Sequence, residues 1–66
     1  MTTVRTTEPL GIRRMNDGDI VWDILPTGSL CELACEDDTP GTFILIDEHG
    51  DEAWLVRPAQ FEPVEN

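Results

Sequence analysis

Cys31, Cys35 and His49 are the only soft metal ligands in this 66-residue chain, and any zinc or thiol chemistry would have to be built from them. On an extended strand, cysteines four apart stand about 13 Å apart at Cα. That is beyond the reach of a disulfide or a shared zinc ion; only a helix would bring the pair together. Three ligands without a second cysteine pair fall short of a zinc site, so both cysteines read as buried structural thiols. His49 stands between Glu48 and Gly50. A histidine can serve as an acid–base residue, but the sequence supplies no nucleophile for it to activate. It reads as a solvated turn residue. Asp17-Gly-Asp19 and Asp47-Glu-His-Gly-Asp-Glu52 are oxygen-rich, without the spacing of a calcium loop or its terminal bidentate glutamate. No catalytic residue, metal site or cofactor is assigned, and the expectation is a protein that is not an enzyme.

What the sequence does offer is charge. Fourteen acids stand against four arginines and no lysine, a net −10. Residues 1–14 hold Arg5, Arg13 and Arg14 against Glu8, a net +2, and the remainder holds thirteen acids against Arg57, a net −12. A small chain charged this way repels nucleic acid and anionic membranes. A basic protein is its natural complement, and a surface that only confers solubility is the plain alternative. The acids gather in three places: Asp17, Asp19 and Asp23; Glu36, Asp37 and Asp38; Asp47, Glu48, Asp51 and Glu52. Carboxylates spaced on a rigid barrel can imitate a nucleic-acid backbone and compete for a basic groove. These residues form the candidate partner-binding set, with Trp22 either a core residue or an exposed anchor.

Those residues need elements to hold them. Phe43 to Ile46 and Ala53 to Val56 are β-branched and aromatic runs flanking a polar turn at Gly50, the signature of a β-hairpin. Each has apolar residues at both parities, which predicts strands covered on both sides, as in a small closed barrel. Ile12 to Met15 predicts a short strand with Ile12 and Met15 in the core. Asn16-Asp-Gly-Asp19 is a turn. Ile20 to Leu25 is extended, either a strand proper or one arm of a long loop, with Ile20, Trp22 and Ile24 on one face. Leu30 to Glu36 is read as a strand over a competing helix, which groups Cys31, Leu33 and Cys35. Arg57 to Phe61 suits a 3₁₀ turn, and Glu62 to Asn66 a terminal edge strand that tolerates Pro63. Met1 to Thr7 lacks apolar periodicity, so residues 1–10 read as a flexible arm and 11–66 as the one domain that this length allows. Hydrophobic residues make up 39%, enough for one core containing Phe43, Phe61, Trp22 and Trp54.

Five short strands, tight acidic turns and a 3₁₀ turn before the last strand describe an all-β, SH3-like barrel. At this point the chain resembles the small SH3-like domains often encoded by phages and prophages. The resemblance is carried by Gly28 followed by Cys31, Leu33 and Cys35, by Ile44-Leu-Ile-Asp-Glu-His-Gly50, by Trp54, and by Phe61-Glu62. It covers roughly residues 11–65. Cys31 stands where an aromatic is usual, which leaves a less aromatic face than a peptide-recognising groove. The resemblance and the charge together predict an acidic inhibitor of a host nucleic-acid-binding protein, in an anti-phage defence complex or a transcription enzyme. The alternative is an assembly module, including a homodimer, joined through an edge strand. No secretory segment opens the chain and no apolar run approaches the roughly 18 residues that span a bilayer. With two cysteines, the expected setting is a reducing cytoplasm, the host's if the chain is phage-encoded.

Overall fold

Asp17 and Gly18 both take positive φ, 51° and 84°, so Asn16 to Asp19 closes as a type I′ turn. This is the conformation that an Asp-Gly pair favours between twisted antiparallel strands. It joins β2 (Leu10–Asn16) to β3 (Asp19–Leu25), paired from Asn16↔Asp19 to Leu10↔Leu25. The computed structural model describes residues 2–64. Within it, β1 (Thr2–Thr6), β4 (Leu30–Glu36), β5 (Phe43–Asp47), β6 (Glu52–Val56), a 3₁₀ turn (Pro58–Gln60) and β7 (Phe61–Pro63) complete the chain. The strands form one antiparallel sheet in the order β3-β2-β6-β5-β4-β1-β7. Among the described residues no helix is long and apolar enough to cross a membrane.

The all-β class, the β5–β6 hairpin, the turn at Asn16–Asp19, the strand at Leu30–Glu36 and the 3₁₀ turn agree with the sequence. The five-stranded closed barrel does not: the described residues form seven strands, and β3 and β7 end the sheet without pairing to each other. One added strand is the segment expected to be a flexible arm. Thr2–Thr6 lies between β4 and β7, with Val4 opposite both Cys31 and Pro63. Val4 and Thr6 are fully buried. Threonine is β-branched and suits a pleated surface, and its hydroxyl is acceptable inside because it is bonded. The Thr6 hydroxyl donates to the Pro26 carbonyl at 2.9 Å and accepts from the Ser29 amide at 3.0 Å, fastening the turn before β4 to β1. The expected terminal strand begins one residue early, at Phe61; its last two positions, 65 and 66, lie outside the described residues.

The inner face of the sheet carries Val4, Leu10, Ile12, Leu25, Cys31, Leu45, Ala53 and Val56, with Leu33 and Phe61 packed against them. Phe43 and Phe61 meet edge to face at 5.7 Å, a favoured aromatic geometry. Two register shifts decide what turns inward. In β4, Leu33 faces Leu45 while Cys35 faces Ile44, so Ala34 is an extra residue and Cys35 is turned outward. The expected inward trio therefore loses Cys35, which is exposed. In β6, Ala53 faces Leu45 while Val56 faces Phe43. The extra residue there is Leu55, at φ 57°, the left-handed position of a bulge that glycine commonly fills. The bulge returns Val56 to the core and leaves Trp54 and Leu55 outside.

The expectation of cover on both sides therefore fails in β6, where Trp54 and Leu55 are exposed, whereas β5 has no exposed residue. Trp22 is 63% exposed and Trp54 42%, so neither tryptophan belongs to the core. Met15, expected inside, is also exposed. A single sheet of this length has one interior, and its second face meets water.

Candidate functional site

Adjacent arginines on β2 point to opposite faces of the sheet, and each gathers acids. Arg14, on the inner face, closes the end of the core. Its Nη1 donates to Asp47 at 2.9 Å and Asp51 at 2.7 Å, and its Nε to Asp23 at 3.2 Å. Those carboxylates raise its pKa further above its ordinary value, Asp51 most, then Asp47. The Asp47 side chain is only 4% exposed. Burial opposes its ionisation, but the Asp51 amide, Arg14 and the His49 amide together outweigh burial and hold its carboxyl below the ordinary 3.8. Asp23 is likewise lowered, first by the Ile24 amide and then by Arg14. The β5–β6 turn is thus wound around Asp47, with its backbone bonded to Asp51 and Gly50 as well.

Arg13, on the outer face, stacks with its guanidinium carbon 4.7 Å from the centre of the Trp54 ring, a cation–π contact. It also approaches Glu52 at 3.9 Å, and Glu52 accepts from the Trp54 indole at 3.2 Å. Trp22 lies directly across from Arg13 and meets Trp54 edge to face at 6.4 Å. Ile20, Ile24 and Met15 share this outer face with Trp22 by the pairing register, and all three are more than half exposed. The result is an apolar strip running across the outside of β3, β2 and β6.

The candidate acids divide between roles. Asp23, Asp47 and Asp51 are tied to Arg14, and Glu52 to Arg13 and Trp54. Asp37 is a framework residue: its two oxygens accept from the amides of Asp38 and Leu55, the second bond holding the β6 bulge. Among the described residues Asp17, Asp19, Glu36, Asp38 and Glu48 are exposed and in no ion pair. Register places them at two ends. Arg13 opposite Glu52 sets the β2–β3 and β5–β6 turns side by side, so Asp17, Asp19 and Glu48 share one end. Glu36 opposite Phe43 sets the β4–β5 loop, with Asp38, at the other. The three acidic loops do not converge.

Cys31 is buried and its thiol is pushed up to about 11, chiefly by burial and secondarily by Asp47 and Glu48. It stays protonated at neutral pH and is no nucleophile. His49 is an exposed turn residue. Among the described residues, no three His, Cys, Asp or Glu side chains come together as a metal site; where Asp23, Asp47 and Asp51 converge, the guanidinium is the cation. A shallow depression of about 400 Å³ lies beside Thr3, Leu30, Cys31, Glu32, Ile46 and the β5–β6 turn. Sequence reasoning missed both arginine hubs. Their signal was there: two adjacent cations on a strand, in a chain almost without others, must face both ways. No family model, curated protein or solved structure matches the chain.

Proposed function

We propose that this chain is a non-enzymatic, acidic protein-binding module that engages a basic, nucleic-acid-binding protein. The observation that carries this reading is the juxtaposition of uncompensated acids with an exposed aromatic strip. Asp17 and Asp19 extend from the tip of the same hairpin that displays Trp22, and Glu48 projects from the neighbouring turn. Aromatic anchors supply contact area and affinity, while surrounding charge steers association and selects the partner.

In its sharper form the reading is an inhibitor encoded by a phage or prophage. The acids occupy a basic groove that normally holds nucleic acid in a host defence complex or transcription enzyme, within the host cytoplasm. That form draws on the SH3-like resemblance together with the charge of the chain. With hairpin β2–β3 set aside, five of the strands follow in the order β6-β5-β4-β1-β7, with the 3₁₀ turn before the last; β1 then stands in the place expected for Ile12 to Met15. Competition tests it: a basic protein retained on the immobilised chain should be released by excess nucleic-acid duplex. Retention unaffected by duplex removes charge mimicry.

The assembly reading draws on one observation of its own. β3 is a seven-residue edge strand with one side unpaired, whereas the opposite edge, β7, is three residues long and contains Pro63, both features that blunt an edge.

A further inference from the structure

We infer that the free edge of β3 is a docking site for a partner strand in which apolar residues alternate with arginine or lysine. The inference rests on the binding-module reading and names the form of its partner.

Antiparallel pairs alternate between hydrogen-bonded and non-hydrogen-bonded. The Ile24 amide is bonded to the Asp23 carboxylate at 2.8 Å, not to β2. It therefore belongs to the non-hydrogen-bonded set, and so do Ile20 and Trp22 at the same parity. Their amides and carbonyls point away from β2, toward the open edge. Asp23 caps the outward amide of Ile24; those of Ile20 and Trp22 stay available. The edge is blunted at one end and open toward the hairpin tip.

Side chains set the partner's pattern. On the outer face β3 presents Ile20, Trp22 and Ile24, continuous with Trp54; on the other it presents Asp19, Val21 and Asp23. An added strand extends both faces. Opposite the first set, cross-strand pairing favours β-branched or aromatic residues; opposite the second, it favours cations. The charge also argues against a second copy of this chain as the occupant. An antiparallel copy centred on Trp22 sets Asp23 against Val21 and brings two chains of net −10 together.

The test uses the full chain and a peptide of about eight residues alternating arginine and valine. The controls are its glutamate–valine counterpart, an oligoarginine, and the parent peptide N-methylated at its valine amides. Trp22 and Trp54 are the only tryptophans, so indole emission reports on this face alone. The arginine–valine peptide should shift that emission to the blue and slow exchange of the Ile20 and Trp22 amides. N-methylation should weaken binding by about tenfold or more, and the glutamate peptide should not bind.

Equal affinity after N-methylation, or unprotected Ile20 and Trp22 amides, overturns strand addition. If oligoarginine still binds at the acidic turns in that case, the acidic-module reading stands without it. Silence from every arginine peptide overturns both. Binding of the glutamate peptide overturns the charge requirement. A blue shift on concentrating the protein alone assigns the edge to a second copy instead.

Discussion

Asp47 and Asp38 are both surface-loop aspartates by sequence, and the structure gives them different work. Asp47 accepts from two turn amides and from Arg14 while almost fully buried. Removing a buried charged acceptor of this kind costs about 2 kcal/mol, so Asp47→Ala should lower the thermal midpoint clearly, whereas Asp38→Ala should leave it nearly unchanged. Thermal melts by circular dichroism compare the two directly. The same residue sets an acid limit. Asp47 and Asp23 have folded pKa values below the ordinary 3.8, so ionisation favours the folded state. That stabilisation is complete above the unfolded-state value and is lost as pH falls through the lower folded values. Stability should therefore decline below about pH 4, and Asp47→Asn should flatten the decline as followed by tryptophan emission. None of this was legible in the sequence, because Arg14 reaches Asp47 and Asp51 across more than thirty positions.

The β5–β6 hairpin and the turn at Asn16–Asp19 were legible at the scale of the element because their determinants are local. Asp17-Gly18 specifies its own turn, and Gly50 takes positive φ between two β-branched runs. β1 was not, because nothing in Thr2–Thr6 alternates in hydropathy; its burial is decided by Pro26, Ser29 and Cys31, distant in the chain. Deleting residues 1–6 should accordingly abolish cooperative unfolding, where loss of a flexible arm would leave the melt unchanged. The two bulges were also hidden. A strand's parity reads inward and outward by counting, and one extra residue at Ala34 or Leu55 inverts every assignment beyond it. Leu55 holds a left-handed conformation that costs a side chain with a Cβ roughly 1 kcal/mol, and it is exposed. Leu55→Asn, a residue that tolerates this region, should stabilise the fold by up to about 1 kcal/mol in denaturant titrations.

Across the whole molecule, composition sets a net charge of −10 but not where those charges lie in the fold. The ten candidate acids looked equivalent in the sequence; in the fold some are held by Arg13 or Arg14, Asp37 serves the β6 bulge, and those exposed and unpaired divide between two ends of the sheet. Trp22 and Trp54, natural core residues for a chain this short, stand outside because a single open sheet leaves one face uncovered. On the proposed reading, an acidic rim beside that face gives binding two separable components, a salt-sensitive approach and a salt-resistant apolar grip. The central measurement is a pulldown from nuclease-treated bacterial lysate, eluted along a salt gradient. It compares the native chain with one carrying Asp17→Lys, Asp19→Lys and Glu48→Lys, positions outside the ion pairs that hold the fold. The native chain should retain a stoichiometric nucleic-acid-binding protein that elutes at moderate salt, and the reversed chain should retain none. The same protein eluting at the same salt from both would contradict the account.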